Sequence, residues 1–128
     1  MKKRVTGIGG VFFKTTNPTE TKEWYKNHLG FNTDDYGCSF WWKDTEGKDA
    51  MTQWSPFPKD TTYFKPSEKE FMMNFRVHNL VELLETLKEE GVTIIGEIQE
   101  FEYGKFGYVM DLDGNKIELW EPIDEPLK

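Results

Sequence analysis

Glu118 and Trp120 stand two residues apart in the run Lys116-Ile117-Glu118-Leu119-Trp120. An extended chain turns successive side chains to opposite faces, so this spacing sets a carboxylate and an indole side by side. Such a carboxylate can accept hydrogen bonds or hold a cation. It can act as a general base where burial beside the ring raises its pKa. It can also ligate a divalent ion, if other donors converge on the same point. The indole offers a face to planar or cationic guests. The plain alternative is an exposed strand carboxylate paired with Lys116 or Arg76.

The elements that must position this pair can be taken in chain order. Val5–Lys14 reads as a strand, with Val11 and Phe13 on one face and Gly10, Phe12 and Lys14 on the other. Asn17, Pro18 and Glu20 form a helix start: a capping side chain, a proline at the first helical position and a capping-box partner. That helix carries Trp24, Tyr25, His28 and Leu29 and stops at Gly30. Strands are expected over 31–36, 38–43 and 50–55. The stretch 56–70 has three prolines and three aromatics with no periodicity, and reads as a linker or a lid. A strand over 71–77 sets Met73, Phe75 and Val77 against Met72, Asn74 and Arg76. Asn79 with Glu82 caps a second helix, whose stripe is Leu80, Leu83, Leu84 and Leu87. A strand over 92–98 and a loop over 99–105 precede the final two strands. Asp113-Gly114-Asn115 supplies the turn between those two, and residues 121–128 read as a loose acidic tail.

Composition narrows the partners. The chain has 128 residues, a formal net charge of −7 and an aromatic share of 16%. Nucleic acid and anionic membrane both call for a basic face, which this balance does not supply. A single cysteine, Cys38, precludes an internal disulfide and fits a reducing, cytoplasmic setting, as a buried and inert thiol. The start Met1-Lys2-Lys3-Arg4 is basic, but the residues after it are too broken by glycine for a signal peptide. His28, in a last helical turn, and His78, in a loop, read as ordinary surface positions.

The pattern of strand, capped helix, glycine and three strands occurs twice. Asn17 matches Asn79, Gly30 matches Gly91, and Trp54-Ser55-Pro56 matches Trp120-Glu121-Pro122. This gives a single domain over 1–128: a module 5–56, a linker 57–70 and a module 71–122. Neither half has apolar residues enough for a core of its own. The fold class expected is α+β, two βαβββ modules whose curled mixed sheets form a cup, with helices outside. Val11, Phe13, Met73, Phe75, Val77, Ile117 and Leu119 make the smooth face for the helices. The mixed face, with Phe12, Asn74, Glu118 and Trp120, suits a small-molecule site. The residues expected to line the cup are Phe12, Trp42, Trp54, Met72, Asn74, Phe106, Tyr108, Glu118 and Trp120.

Three stretches carry a family resemblance: Glu23 to Phe31, with its Trp-Tyr and Leu-Gly-Phe; Asn74-Phe75-Arg76-Val77; and Asp111-Leu112-Asp113-Gly114-Asn115-Lys116-Ile117-Glu118-Leu119-Trp120. The last looks like the family ending DPDGN-x-IEL. In order and over nearly the whole chain, they resemble the vicinal oxygen chelate superfamily of glyoxalases, bleomycin-resistance proteins and extradiol dioxygenases. The resemblance implies a homodimer and one divalent ion held at four positions. Carried over, these fall on Gly10, Thr52, Met72 and Glu118; a shift of one residue brings in Gln53. Of the four, Glu118 alone is a good ligand. The expectation is therefore a metal-free protein that holds a small planar or cationic molecule. The alternative is a divalent-metal-dependent lyase, epimerase or dioxygenase using Glu118. A third possibility is a cup without a ligand, in a protein whose role is dimerisation.

Overall fold

The computed structural model describes residues 4–128; the basic start Met1-Lys2-Lys3 lies outside them. Seven strands form one mixed sheet: β1 (Val5–Thr15), β2 (Cys38–Lys43), β3 (Asp49–Pro58), β4 (Phe71–Val77), β5 (Ile94–Phe101), β6 (Gly104–Met110) and β7 (Lys116–Pro122). Their spatial order is β2-β3-β1-β4-β7-β6-β5. β1 runs parallel to β3, and β4 parallel to β7. The two halves meet where β1 pairs antiparallel with β4. Two helices, α1 (Pro18–Leu29) and α2 (Leu80–Glu89), make the crossovers. The architecture is α+β, as expected. Among the described residues, no helix is long and apolar enough to cross a membrane.

The helix signals act as their chemistry dictates. The Asn17 side chain accepts from the Glu20 N–H at 3.1 Å and Pro18 opens the first turn. Gly30 closes α1 at φ 73°, a left-handed conformation that costs glycine little. Asn79 caps α2 in the same way, accepting from the Glu82 N–H at 3.2 Å. Leu80 and Leu84 then pack on Val77, Val109 and Leu119, with Phe75, Leu83, Leu87 and Ile117 around them. Gly107 lets α2 come close: a Cβ there would stand 2.8 Å from Leu84 Cδ1. α1 rests on aromatic rings, Tyr25 lying 4.6 Å from Trp54 between ring centres and Trp54 5.4 Å from Phe13.

Four local expectations change. Residues 31–36 form no strand; one bridge, Thr33 to Cys38, remains. The Asp34 carboxylate accepts the N–H groups of Tyr36 and Gly37 instead and folds the stretch into a turn. The loop expected over 99–105 shrinks to Glu102-Tyr103, because β5 continues through a register shift between Ile95 and Gln99, where Gly96 takes a φ of 67°. β3 runs on to Pro58, beyond the end of β2, on a flank where proline costs no ladder bond. The remaining linker is pinned by Phe64, fully buried against Phe12 and Met72.

The tail is the fourth. It ends in a short 3-10 turn, Glu125–Leu127, and is docked rather than loose. Asp124 takes a two-pronged ion pair from Arg76, at 2.9 and 2.6 Å, and Lys128 reaches Asp49 at 2.8 Å. Arg76 is buried, its guanidinium lying between the rings of Trp42 and Trp120 and also bonding the Met51 carbonyl. A buried cation needs such a partner, and the tail supplies it.

Candidate functional site

One row of side chains crosses the sheet on the face away from the helices. Pairing runs Ser39–Gln53 between β2 and β3, Gln53–Gly10 into β1, Gly10–Asn74 into β4, Asn74–Glu118 into β7 and Glu118–Tyr108 into β6. Directly paired residues share a face, so these form a polar floor across six strands. Above it lies a cavity of about 430 Å³. Phe12, Met51, Tyr103, Phe106 and Trp120 supply apolar walls, and Asp34, Tyr36 and Leu127 stand at its margin.

Glu118 is the most constrained member, at 2% exposure. Its Oε1 accepts from Asn74 Nδ2 at 2.5 Å, and its Oε2 accepts from the Tyr63 hydroxyl. Tyr63 comes from the 59–70 loop; with its own hydrogen on Glu118, its oxygen accepts from the Tyr108 hydroxyl at 2.7 Å, and the Gln99 side chain lies 3.2 Å from that hydroxyl. Burial first, and the Glu118 carboxylate second, push both phenols well above the ordinary tyrosine range. They therefore stay protonated and remain donors. Lys116 Nζ donates to the Tyr63 carbonyl and lies 4.5 Å from the centre of the Tyr108 ring. Burial lowers the Lys116 pKa, opposed by the charge of Glu118. Tyr63, Ser39 and Gln53 were not among the residues expected in the cup. Nothing local marks Tyr63, whose place depends on how the loop returns; Gln53 is readable from alternation only once the register of β3 is known.

Trp120 is almost fully buried: Phe106 stacks on it at 5.8 Å and 5°, and the Arg76 guanidinium lies over its ring at 5.0 Å from the centre. Its Nε1 donates to the Tyr103 carbonyl. The indole thus braces the wall of the cavity that it lines.

Of the nine residues expected to line the cup, Phe12, Asn74, Phe106, Glu118 and Trp120 line it. Tyr108 is on the same face, held behind Glu118. Met72 is packed under Phe64 and Phe12. Trp54 is on the opposite face, because it pairs with Val11 and packs on α1. Trp42 lies over Gly7 and bonds Thr52, away from the cavity. Cys38 is buried, and burial pushes its thiol pKa up, as for an inert thiol.

The four positions implied by the resemblance also move. Thr52 is turned to the Ile8 carbonyl, which accepts from it at 2.5 Å, and Met72 is out of reach. The sheet register puts Gln53 and Asn74 in their stead, beside Gly10 and Glu118. Gly10 brings no side chain, the Gln53 carbonyl accepts from Ser39, and both Glu118 oxygens accept protein donors. Among the described residues, no three His, Cys, Asp or Glu side chains come together. One carboxylate and two amides do not fit a tightly held divalent ion, which asks for several anionic or imidazole donors.

Comparison with known proteins agrees with the topology. The family model described as the Glyoxalase/Bleomycin resistance protein/Dioxygenase superfamily matches residues 7–119. No curated protein matches the chain. Among solved structures, methylmalonyl-CoA epimerase from Mycobacterium tuberculosis is similar, with 20% identity and a TM-score of 0.67 over 99% of this chain and 95% of that one. A Streptomyces coelicolor methylmalonyl-CoA epimerase variant gives 14% and 0.70 over 92% and 98%. A glyoxalase/bleomycin resistance protein/dioxygenase superfamily member from Vibrio splendidus gives 14% and 0.58 over 89% and 97%. At these identities the likeness shows a shared fold.

Proposed function

Since the chain belongs to the Glyoxalase/Bleomycin resistance protein/Dioxygenase superfamily, we propose that it is a metal-free binding protein for a small planar or cationic molecule, held in the cup above Glu118. The observation that carries this reading is the pairing of apolar walls with a polar floor whose donors do not suit a metal. Small-molecule sites have that composition: mostly apolar, with a few placed polar groups. The reading takes the protein as a cytoplasmic homodimer, and a clean monomer near 15.1 kDa by light scattering would remove the dimer.

The test is calorimetric titration of planar aromatic probes in the presence of a chelator. Binding should persist, and Ser39→Trp, at an exposed position on the rim, should abolish it by filling the mouth. Trp120→Ala should weaken binding more than Glu118→Gln does. Protein soaked in zinc, nickel or manganese should retain less than stoichiometric metal after desalting. Tightly held, near-stoichiometric metal would overturn the metal-free reading and bring forward the lyase, epimerase or dioxygenase alternative.

One observation favours a second reading, an enzyme that works without metal. Glu118 is buried, aimed at the cavity floor and held from two sides, as a general base would be. In that case Glu118→Gln should leave binding within about threefold and remove turnover.

A further inference from the structure

We infer that two copies of this chain join edge to edge along β2, the outer strand of the sheet, in a two-fold dimer that also covers the rings beside that strand. This gives an interface to the dimer in the reading above and does not depend on what the cup holds.

The first half of the molecule is covered less well than the second. Both helices cross the sheet on the same plan, yet α2 buries Leu80 and Leu84 while α1 buries no residue. The rings at α1 run on in contact toward the sheet edge: Trp24 to Tyr25 at 5.3 Å, Tyr25 to Phe31 at 5.2 Å, and Phe31 to Phe40 of β2 at 5.2 Å. Trp24 is 53% exposed and Phe40 43%. Trp41, on the other face of the same strand, is 40% exposed, and Tyr36, in the turn before it, 79%. At roughly 200–250 Å² for a whole aromatic residue, these four leave about 500 Å² in water around one edge. Apolar surface of that extent marks a contact site.

The total surface points the same way. The chain exposes 8309 Å², where a folded monomer of 15.1 kDa shows about 7,100 Å². The difference is larger than the roughly 800 Å² that each partner gives to a standard interface.

The edge itself selects a second copy as the occupant. Beyond one bridge, from Cys38 to Thr33, no described strand pairs with the outer side of β2, so the stretch 39–43 presents a row of unpaired N–H and C=O groups. An identical strand laid antiparallel meets that row about a two-fold axis, and such a contact closes at two copies. Phe40 and Trp41 then lie against the joint on its two faces. The opposite edge, β5, is defended against this. It carries Glu97 and Glu100 and is bent at Gly96, at its register shift against β6, and self-pairing there would set like charges together. β2 pairs with β3 without a register shift, has no proline, and holds its one charge, Lys43, at its end.

The test is sedimentation equilibrium of the full chain, from about 1 to 100 μM. The wild type should approach twice 15.1 kDa. Phe40→Glu sets a charge in the joint and should weaken association at least about thirtyfold. Phe101→Glu, similarly exposed on the opposite edge, should leave it within about twofold. A wild type that stays at 15.1 kDa throughout would overturn the inference, and the dimer with it, and leave the cup to its own titration. A dimer that survives Phe40→Glu, or that Phe101→Glu disperses, would overturn this interface alone. Amide exchange on the wild type decides the matter should Phe40→Glu not fold. The 39–43 amides should be protected at dimer concentrations and lose that protection on dilution; protection that ignores concentration would refute the edge pairing.

Discussion

Tyr63 and Tyr108 are the residues whose protonation the fold controls most strongly. Both phenols are pushed above the ordinary tyrosine value by burial and by Glu118. A raised folded-state pKa contributes stability that is complete below the unfolded value, about pH 10, and is lost as pH rises beyond it. Thermal melts from pH 8 to 11 should therefore fall more steeply for the wild type than for the Tyr63→Phe, Tyr108→Phe double variant; equal slopes would refute the assignment. At neutral pH, Tyr63→Phe alone should cost about 1.5–3 kcal/mol, since it removes one donor from the buried Glu118 carboxylate. At this scale, sequence reading goes part of the way. Alternation sets Glu118 and Trp120 on one face, and they are there. It sets Trp54 with them, because Trp54-Ser55-Pro56 matches Trp120-Glu121-Pro122. Pairing with Val11 reverses that, so the halves match one residue out of step.

The elements with caps were the readable ones. Asn17, Pro18 and Gly30, like Asn79 and Glu82, act through bonds that span three or four residues, and such signals are local. The strand ends were less so. β3 reaches Pro58 because β1 lies beside it, and β5 reaches Phe101 by way of a register shift that pairing with β6 imposes. Both depend on neighbours far along the chain. The seat of α2 offers a direct test of packing. Leu84→Ala should destabilise the protein by about 2–4 kcal/mol, by denaturant unfolding, as a buried leucine shared with Val109 and Leu119. Gly107→Ala, whose new methyl meets Leu84 at 2.8 Å, should cost about 1–3 kcal/mol. Made together with Leu84→Ala, it should cost less than the sum, because the shortened side chain makes room.

Over the whole molecule, the tail is a structural member. Arg76 and Asp124 form a buried pair, and Asp124→Asn leaves the guanidinium without its counter-charge, at a cost of about 3 kcal/mol. Leu127, carried by the same segment, would then leave the margin of the cup. The second fastening is open to pH. Lys128, then Lys43, hold Asp49 down to about 2. A depressed carboxylate contributes above its unfolded value, about pH 4, and the contribution is lost as pH falls toward the folded one. Tail docking, followed by hydrogen exchange, should loosen between those limits before the sheet melts. The meeting of β1 and β4 reaches further still. It is an antiparallel seam at the middle of one continuous sheet, and residues 59–70 arch over it with Phe64 as their peg. Chain cut at Asp60 would leave two halves, each with a bare inner strand of unspent N–H and C=O groups. Each would be the other's missing neighbour, so the fragments should assemble on mixing and stay unfolded apart: the chain is built as a reconstitutable pair.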